Sequence, residues 1–471
     1  MSRVSNRVER GVYRDSVALM RIARTLSGLP GVEGAAVLIG TPANKALMRD
    51  AGLLAEEGES ASPNDIVLAV RAHDAAASAA ALEAGVRALS EPMAASRVVR
   101  HARSLHGALE LLPEANLALV SVPGDFAALE ARRALERGLN VMVFSDNVPL
   151  EAERFLKELA AERGLLLLGP DCGTALIGGS PLAFANAVPR GDVGIVSASG
   201  TGLQEVSCLV ARLGGGVSHG IGVGGRDLDA RIGALGTLQA LRLLEADPGT
   251  RTIVLLSKPP AREVAARVLE AAGRSSKPCV VCFLGADALP AAGNVRFAST
   301  LCEAAELASA SKVDAKEVAL PRAGKGRIKG LFCGGTLCAE AETVFCRAGL
   351  RGHEFVDLGA DELTRGRPHP MIEPALRTPH VRAALEDPAV AALLVDVVLG
   401  FGAHPDPAGM LAAALGRTAK PVIASVTGTE GDPQGWSRQV ARLREAGVLV
   451  APSNAHASAY AAKLASQCSP A

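Results

Sequence analysis

Short unbroken apolar runs alternate with helical stretches along this chain. Leu117–Gly124 reads as strand then turn, Phe126–Glu136 as helix, and Asn140–Val148 as strand then loop. Leu150–Arg163 reads as helix, and Leu165–Thr174 as strand then loop. Apolar runs without alternation fit strands buried on both faces, and strands alternating with helices predict a parallel sheet with right-handed crossovers. Upstream, the periodicity predicts an amphipathic helix over Ser16–Leu29, strands over Gly34–Ile39 and Ile66–Arg71, and an Ala-rich helix from about Ala75. Glu91–Arg100 reads as a linker.

Further along, one pattern occurs twice. GIVSASGTGLQE (Gly194–Glu205) and GLFCGGTLCAE (Gly330–Glu340) are each a strand, a Gly-rich turn with Thr, and a helix start. VLLSKPPAR answers to LLVDVVLGFGAHPDPA, and KPCVVCFLG to KPVIASVTG. The landmarks Gly200/Gly335, Ser257/Asp396 and Lys277/Lys420 are offset by 135, 139 and 143 residues. Constant order with slowly drifting offsets is what a duplication with short loop insertions produces. Four blocks follow: 1–100, 101–190, 191–322 and 325–471. The expected class is α/β, built from several Rossmann- or flavodoxin-like parallel-sheet domains.

Composition narrows the function classes. Lys+Arg and Asp+Glu are both 49 in 471 residues, and aromatics are 3%. A balanced charge and few stacking rings argue against nucleic acid as a partner. No apolar run approaches the roughly 20 residues of a membrane span, and the N-terminus lacks a secretory apolar core, so a cytoplasmic protein is expected. Nine cysteines show no framework spacing. Cys279 and Cys282 lie three apart in a strand, where they face opposite ways. They are read as buried thiols, and no metal site is expected.

Ligands of parallel α/β sheets sit beyond the carboxyl ends of strands. The three strand ends of block two carry SVPG, FSDN and GPDCGT, so Ser145, Asp146, Asn147, Pro170, Asp171, Cys172 and Gly173 form a candidate cofactor-binding loop. The two Gly-rich turns each open a helix, whose bare N–H groups and positive dipole end suit an anion. If the repeats pack with pseudo-two-fold symmetry, Ser197, Ser199, Gly200, Thr201 and Gly202 share one anion with Gly334, Gly335 and Thr336. In HGIGVGGRDL, four glycines leave a backbone a ligand can approach. There Arg226 is either a carboxylate fork or half of a surface pair with Asp227. Lys258, at a strand end, and Arg367 and His369, in a Pro-pinned loop, are further candidates. His404, Asp406, Thr427, Thr429, Glu430 and Asp432 stand in polar loops read as site walls. No Walker A, HExxH, EF-hand or GxSxG pattern is present.

The tandem of GPDCGT and GIVSASGTG units resembles the succinyl-CoA synthetase α chain, and the LFCGGTL block resembles the carboxyl-terminal ligase domain of its β chain. With DSVALM, GTPANKALM, NLALVSVPG, NVMVFSDNV, GIGVGGRDL, SKPPA, GRPHPMI, DVVLGFGAHPDPA and VTGTEGDPQ, the chain is identified as a member of the FdrA family. The resemblance implies a synthetase-like fold with a duplicated ligase-type domain, and a CoA-type ligand at the block-two loops. Synthetases of this type carry a phosphorylated His in a Gly-His-Ala-Gly segment, where AAGNVRFAST here places Asn294. No ATP-grasp segment is recognisable.

The FdrA resemblance implies a component of oxamate carbamoyltransferase, which takes oxalurate and phosphate to oxamate and carbamoyl phosphate. It would work in a hetero-oligomer with other carbamoyltransferase subunits, or as a homodimer. On that reading Ser199, Gly200, Thr201, Gly335 and Thr336 hold phosphate, and Arg226 and Arg367 hold the oxalurate or oxamate carboxylate. Lys258 or His369 polarises the carbamoyl oxygen. The alternatives are an NDP-forming acyl-CoA ligase and a degenerate CoA-binding scaffold.

Overall fold

The computed structural model describes residues 3–12, 16–90, 102–286, 293–315, 318–364 and 368–468. It divides into two compact units, Met1–Ala102 and Arg103–Ala471. The Glu91–Arg100 linker lies outside the described residues.

The first unit comprises β1 (Arg3–Glu9), α1 (Ser16–Ser27), β2 (Val32–Ile39), α2 (Pro42–Asp50), α3 (Glu56–Glu59), β3 (Ile66–Ala72) and α4 (Ala75–Ser90). Its sheet has the order β1-β3-β2 and is antiparallel throughout. The strand β1 had no strong apolar signal because its one buried side chain is Asn6. The Asn6 amide donates to Leu53 O at 2.8 Å and accepts from Ala55 N at 2.7 Å.

The second unit opens with α5 (Leu105–Leu111), β4 (Leu117–Val120), α6 (Gly124–Glu136), β5 (Asn140–Val143), α7 (Leu150–Glu162) and β6 (Leu167–Leu168). Strands β4-β5-β6 form a parallel sheet. A hairpin follows, β7 (Thr174–Ile177) and β8 (Ser180–Ala183). The first repeat is β9 (Val193–Ser197), α8 (Gly200–Arg212), β10 (Val217–Gly222), α9 (Leu235–Ala246), β11 (Thr252–Ser257), α10 (Arg262–Gly273), β12 (Cys279–Phe283), β13 (Val295–Phe297) and α11 (Leu301–Ser309). The second is β14 (Arg327–Phe332), α12 (Gly335–Arg347), β15 (Glu354–Asp357), α13 (Asp361–Thr364), α14 (Thr378–Glu386), β16 (Val390–Val398), α15 (Pro407–Leu415), β17 (Val422–Thr427), α16 (Trp436–Glu445), β18 (Leu449–Ala451) and α17 (Asn454–Cys468).

The two sheets follow one plan. Strand order is β13-β12-β11-β9-β10 in the first, extended by the hairpin, and β18-β17-β16-β14-β15 in the second. Within each five the pairing is parallel, and β7 joins β10 antiparallel. Even side-chain devices repeat. Lys277 Nζ donates to Leu244 O and Asp247 O at the end of α9, and Lys420 Nζ donates to Ala384 O and Asp387 O at the end of α14. A cation on the last carbonyls of a helix complements the dipole there.

One core joins the repeats, running from Val254 and Leu256 through helices α8, α11, α12 and α17 to Leu394 and Ile423. Cys282 points into this core and Cys279 into the one on the opposite sheet face, as residues three apart in a strand must. Inside the shared core lie two carboxylates at equivalent places in the repeated motif, Glu205 and Glu340, each 1% exposed. Glu205 of α8 accepts from the Asn454 N–H, opening α17 of the other repeat, and from Thr427 Oγ1. Glu340 of α12 accepts from the Leu301 N–H, opening α11 of the first repeat, at 2.6 Å, and from Asn454 Nδ2 at 2.8 Å. Each repeat thus caps a helix of the other, at the end where an anion is favoured. Burial, with the nearby Glu205 charge adding to it, lifts the Glu340 carboxyl to about 7 against its hydrogen bonds.

Asn454 also donates to Leu337 O and accepts from Ser425 Oγ. Asn454→Ala orphans several of these groups at once, and a loss of about 2–4 kcal/mol in urea unfolding is expected. A loss below about 1 kcal/mol would show that the Asn454 amide does not tie the repeats together.

Candidate functional site

Strand β9 ends at Ser197 and β14 at Phe332, and the next residues form the two Gly-rich turns. The turns meet. Ser199 Oγ hydrogen-bonds Thr336 Oγ1 across the repeats. A Cβ placed on Gly334 would stand 3.0 Å from Thr201 Cγ2, and one on Gly202 would stand 3.3 Å from Thr336 Cγ2. The helices α8 and α12 therefore begin side by side, and their positive ends share one neighbourhood.

The turns differ inside. In the first, Ser199 is the N-cap and its Oγ accepts from Gly202 N at 2.9 Å. Ser197 is buried, and its hydroxyl donates to Ser199 O at 2.7 Å. Ser197 and the Gly202 N–H thus shape the turn and are not donors for a ligand. In the second turn, the N–H groups of Cys333 and Gly334 donate to the two oxygens of Asp396, both at 2.8 Å. Asp396 is fully buried on β16; burial raises its carboxyl, and Arg377, 3.3 Å away, and these N–H groups act against that. Arg377 also donates to Asp396 O and Leu331 O. The N-cap of α12, Gly334, supplies no side-chain cap, and the Asp357 carboxylate stands against Gly335 at this helix start.

Lys258, exposed at the end of β11, comes to the same place. A Cβ on Gly335 would lie 3.8 Å from Lys258 Nζ and would collide with Asp357 Oδ2 at 2.4 Å. His369 packs behind the second turn, close to Gly359 and Cys333 O. Its Nδ1 accepts from Met371 N at 3.2 Å, and burial pushes the imidazole down to about 4. Burial pushes the neighbouring Cys333 thiol up to about 12, so no thiolate is on hand. The arrangement offers two hydroxyls, one exposed ammonium and a neutral imidazole, beside the Asp357 carboxylate. Such a set binds and polarises oxyanions without a charged nucleophile.

Other expectations are corrected. Arg226 neither forks toward this site nor pairs with Asp227. It donates to Val148 O at 2.7 Å and pairs with buried Glu153 at 2.7 Å. Asp227 is buried, bonded to Lys157 at 2.6 Å and to the N–H groups of Gly236 and Thr237. The open backbone of the Gly-rich β10 segment receives the chain itself: a Cβ on Gly224 would stand 2.1 Å from Pro170 O, and one on Gly222 2.5 Å from Thr174 O. Asn294 does not replace a site histidine. Its amide donates to Ser275 O and Lys277 O at the amino end of β12, on the rim away from the turns. Arg367 lies outside the described residues.

In the block-two loop, Ser145 is buried and donates to Val122 O at 2.5 Å, Asp171 N donates to Ser145 O, and Cys172 is buried with its thiol pushed to about 12. Gly173 O accepts from Phe184 N, and Pro170 O faces Gly224. Asp146, Asn147 and Asp171 are the exposed members. The polar loops of the second repeat are fastenings. Asp432 accepts from Asn186 Nδ2 and Ala187 N, and Thr429 donates to Ala187 O. Asp406 caps α15 and pairs with Arg442, His404 Nδ1 accepts from Asp406 N, and Glu430 accepts from Ser437. Asp396, Arg377 and Asp357 were missed. Asp396 left one signal, a lone acid inside an apolar strand.

The model of the CoA-ligase family matches residues 331–464, and that of the AllF heavy metal-associated domain matches residues 1–103. The latter segment contains no cysteine. YahF of Escherichia coli strain K12 is 41% identical over 95% of this chain and 96% of its own. A succinate–CoA ligase [ADP-forming] α subunit of Archaeoglobus fulgidus is 32% identical over 45% of this chain and 73% of its own. The apo dinucleotide-forming acetyl-coenzyme A synthetase 1 of Ca. Korarchaeum cryptofilum is 19% identical, covering 75% of this chain and 83% of its own, with a TM-score of 0.34. The similarity to the succinate–CoA ligase α subunit sets the chain in the succinate–CoA ligase-like class. Within it, the chain belongs to the family of YahF. Among the described residues no helix is long and apolar enough to cross a membrane.

A histidine held at about 4 when folded and about 6.5 when unfolded binds fewer protons in the native state. Its contribution to stability is full above pH 6.5 and is lost as pH falls toward 4. In His-labelled protein, the His369 resonance is expected to stay that of a neutral imidazole from pH 8 to about 5.5. A titration midpoint near 6.5 would show that the ring is solvated.

Proposed function

We propose that the chain is a group-transfer subunit that holds a phosphate-type anion between the starts of α8 and α12. The observation that carries this reading is the Ser199–Thr336 contact, which sets two helix starts on one spot. The phosphate oxygens take N–H groups at the start of α12, the hydroxyls of Thr201 and Thr336, and the Lys258 ammonium. No histidine occurs between His219 and His353, so the connection after β12 supplies none to carry a phosphoryl group. This favours direct transfer.

With oxalurate, the substrate that the FdrA resemblance implies, a phosphate oxygen attacks the carbamoyl carbon. The bond from that carbon to the amide nitrogen breaks, and the leaving nitrogen takes the phosphate proton to give oxamate. Lys258 neutralises charge growing on the carbamoyl oxygen, and tight positioning supplies much of the acceleration. His369, neutral and behind the turn, supports the loop. Arg226, paired with Glu153, is given no role in this reading.

A second reading, acyl-CoA formation with a nucleotide-binding partner subunit, is supported by the match to the CoA-ligase family and to the succinate–CoA ligase α subunit. Assays with partner subunits separate the two. Carbamoyl phosphate from oxalurate and phosphate, reduced at least tenfold by Thr336→Val, supports the first. Formation of an acyl-CoA that depends on CoA and nucleotide, with no phosphorolysis, assigns the second. Either activity left unchanged by both Thr336→Val and Lys258→Ala would remove the anion site from the mechanism.

A further inference from the structure

The helix α8 starts at the candidate site and runs about 20 Å before it ends. Its last turn borders a separate cavity of about 470 Å³. That volume lies within the usual range for small-molecule sites. The cavity is formed between the repeats, by the end of α8, the segment after α11, and the α16–β18 region. Part of its wall is apolar, with Leu213 and Val450 there, and one side is the indole of Trp436.

The charges around it are unequal. Arg212, Lys312 and Arg444 line the cavity, against one acid, Asp314. Arg212 is fixed, its guanidinium 5.1 Å from the Trp436 ring centroid and donating to Pro452 O at 2.9 Å. Trp436 is fixed in turn by its own N–H on Val426 O at 3.0 Å. Lys312 is tied to Glu306 at 2.5 Å. The Arg444 side chain is exposed and has no hydrogen bond or ion pair among the described residues.

We propose that this cavity binds a compact organic anion with an apolar body, its acid group on Arg444 and its body against Trp436 and the aliphatic wall. Three features select that chemistry. With Lys312 paired to Glu306, Arg212 and Arg444 still outnumber Asp314, which disfavours an amine. The apolar wall gives a bare inorganic ion nothing to bury. The stacked Arg212–Trp436 pair presents a rigid planar wall that suits a flat or branched body. The site is distinct from the α8–α12 turns, at the opposite end of the same helix, and does not rest on the proposed reaction.

Trp436 is the chain's single tryptophan and lines this cavity, so it serves as the donor, and the Arg444 variant and the displacement series tell binding here from binding elsewhere. The full chain is titrated with 8-anilinonaphthalene-1-sulfonate, an aromatic sulfonate, and energy transfer from Trp436 is followed. Saturable transfer is expected, displaced by benzoate and not by benzylamine. Arg444→Glu, an exposed change, is expected to weaken it at least fivefold, while Arg438→Glu on the same helix leaves it within twofold. Absent transfer, an unchanged midpoint in Arg444→Glu, or displacement by benzylamine would each overturn the assignment.

Discussion

The structure of the second unit depends on two carboxylates that cannot leave the shared core. Glu205 and Glu340 occupy the same place in the repeated motif, and each holds the first turn of a helix in the opposite repeat. A buried carboxylate is costly unless its oxygens are fully paired, and here the pairing exists only when the repeats are docked. Apolar packing through α8, α11, α12 and α17 supplies most of the driving force, but it is not directional. The carboxylates set the register, because sliding one repeat would orphan both. Asn454 links the two by donating to both glutamates, from its backbone N–H and its amide.

That register is what places the two Gly-rich turns together. The glutamates follow their turns by the same short helical distance, so fixing Glu205 and Glu340 also fixes Ser199 against Thr336. The Asp432–Asn186 and Thr429–Ala187 bonds fasten the same face from the other side. Symmetry stops at the details. A serine hydroxyl finishes the first turn, and the Asp396 carboxylate with Arg377 finishes the second. The start of α12 takes no cap from its own N-cap residue, Gly334, and Lys258 arrives there from the first repeat.

The parallel strands of the second unit were legible because both of their faces are buried and their apolar runs are unbroken. The duplication was legible because motif order survives insertion. In the first unit the helices and strands expected at Ser16–Leu29, Gly34–Ile39, Ile66–Arg71 and from Ala75 are found as α1, β2, β3 and α4, but β1 and the antiparallel pairing were not legible, since a strand with a buried Asn6 carries a weak apolar pattern. The β7–β8 hairpin hid for a related reason, its strands being four residues long. Single polar side chains were least legible. Arg226 could have met any carboxylate, and only the fold brings Glu153 to it. Glycines around Gly224 suggested room for a ligand, whereas the room is taken by the loop at Pro170. The polar loops of the second repeat looked like site walls because burial by another repeat leaves no local mark.

The central claim is that two turns, one from each repeat, make one anion site. Isothermal titration of inorganic phosphate into the full chain, with Ser199→Ala, Thr336→Val and the double variant, tests it most directly. One site per chain is predicted, each single change weakening binding by about tenfold and the double change by little more, as coupled groups do. Two independent sites, or losses that add in full, would contradict it.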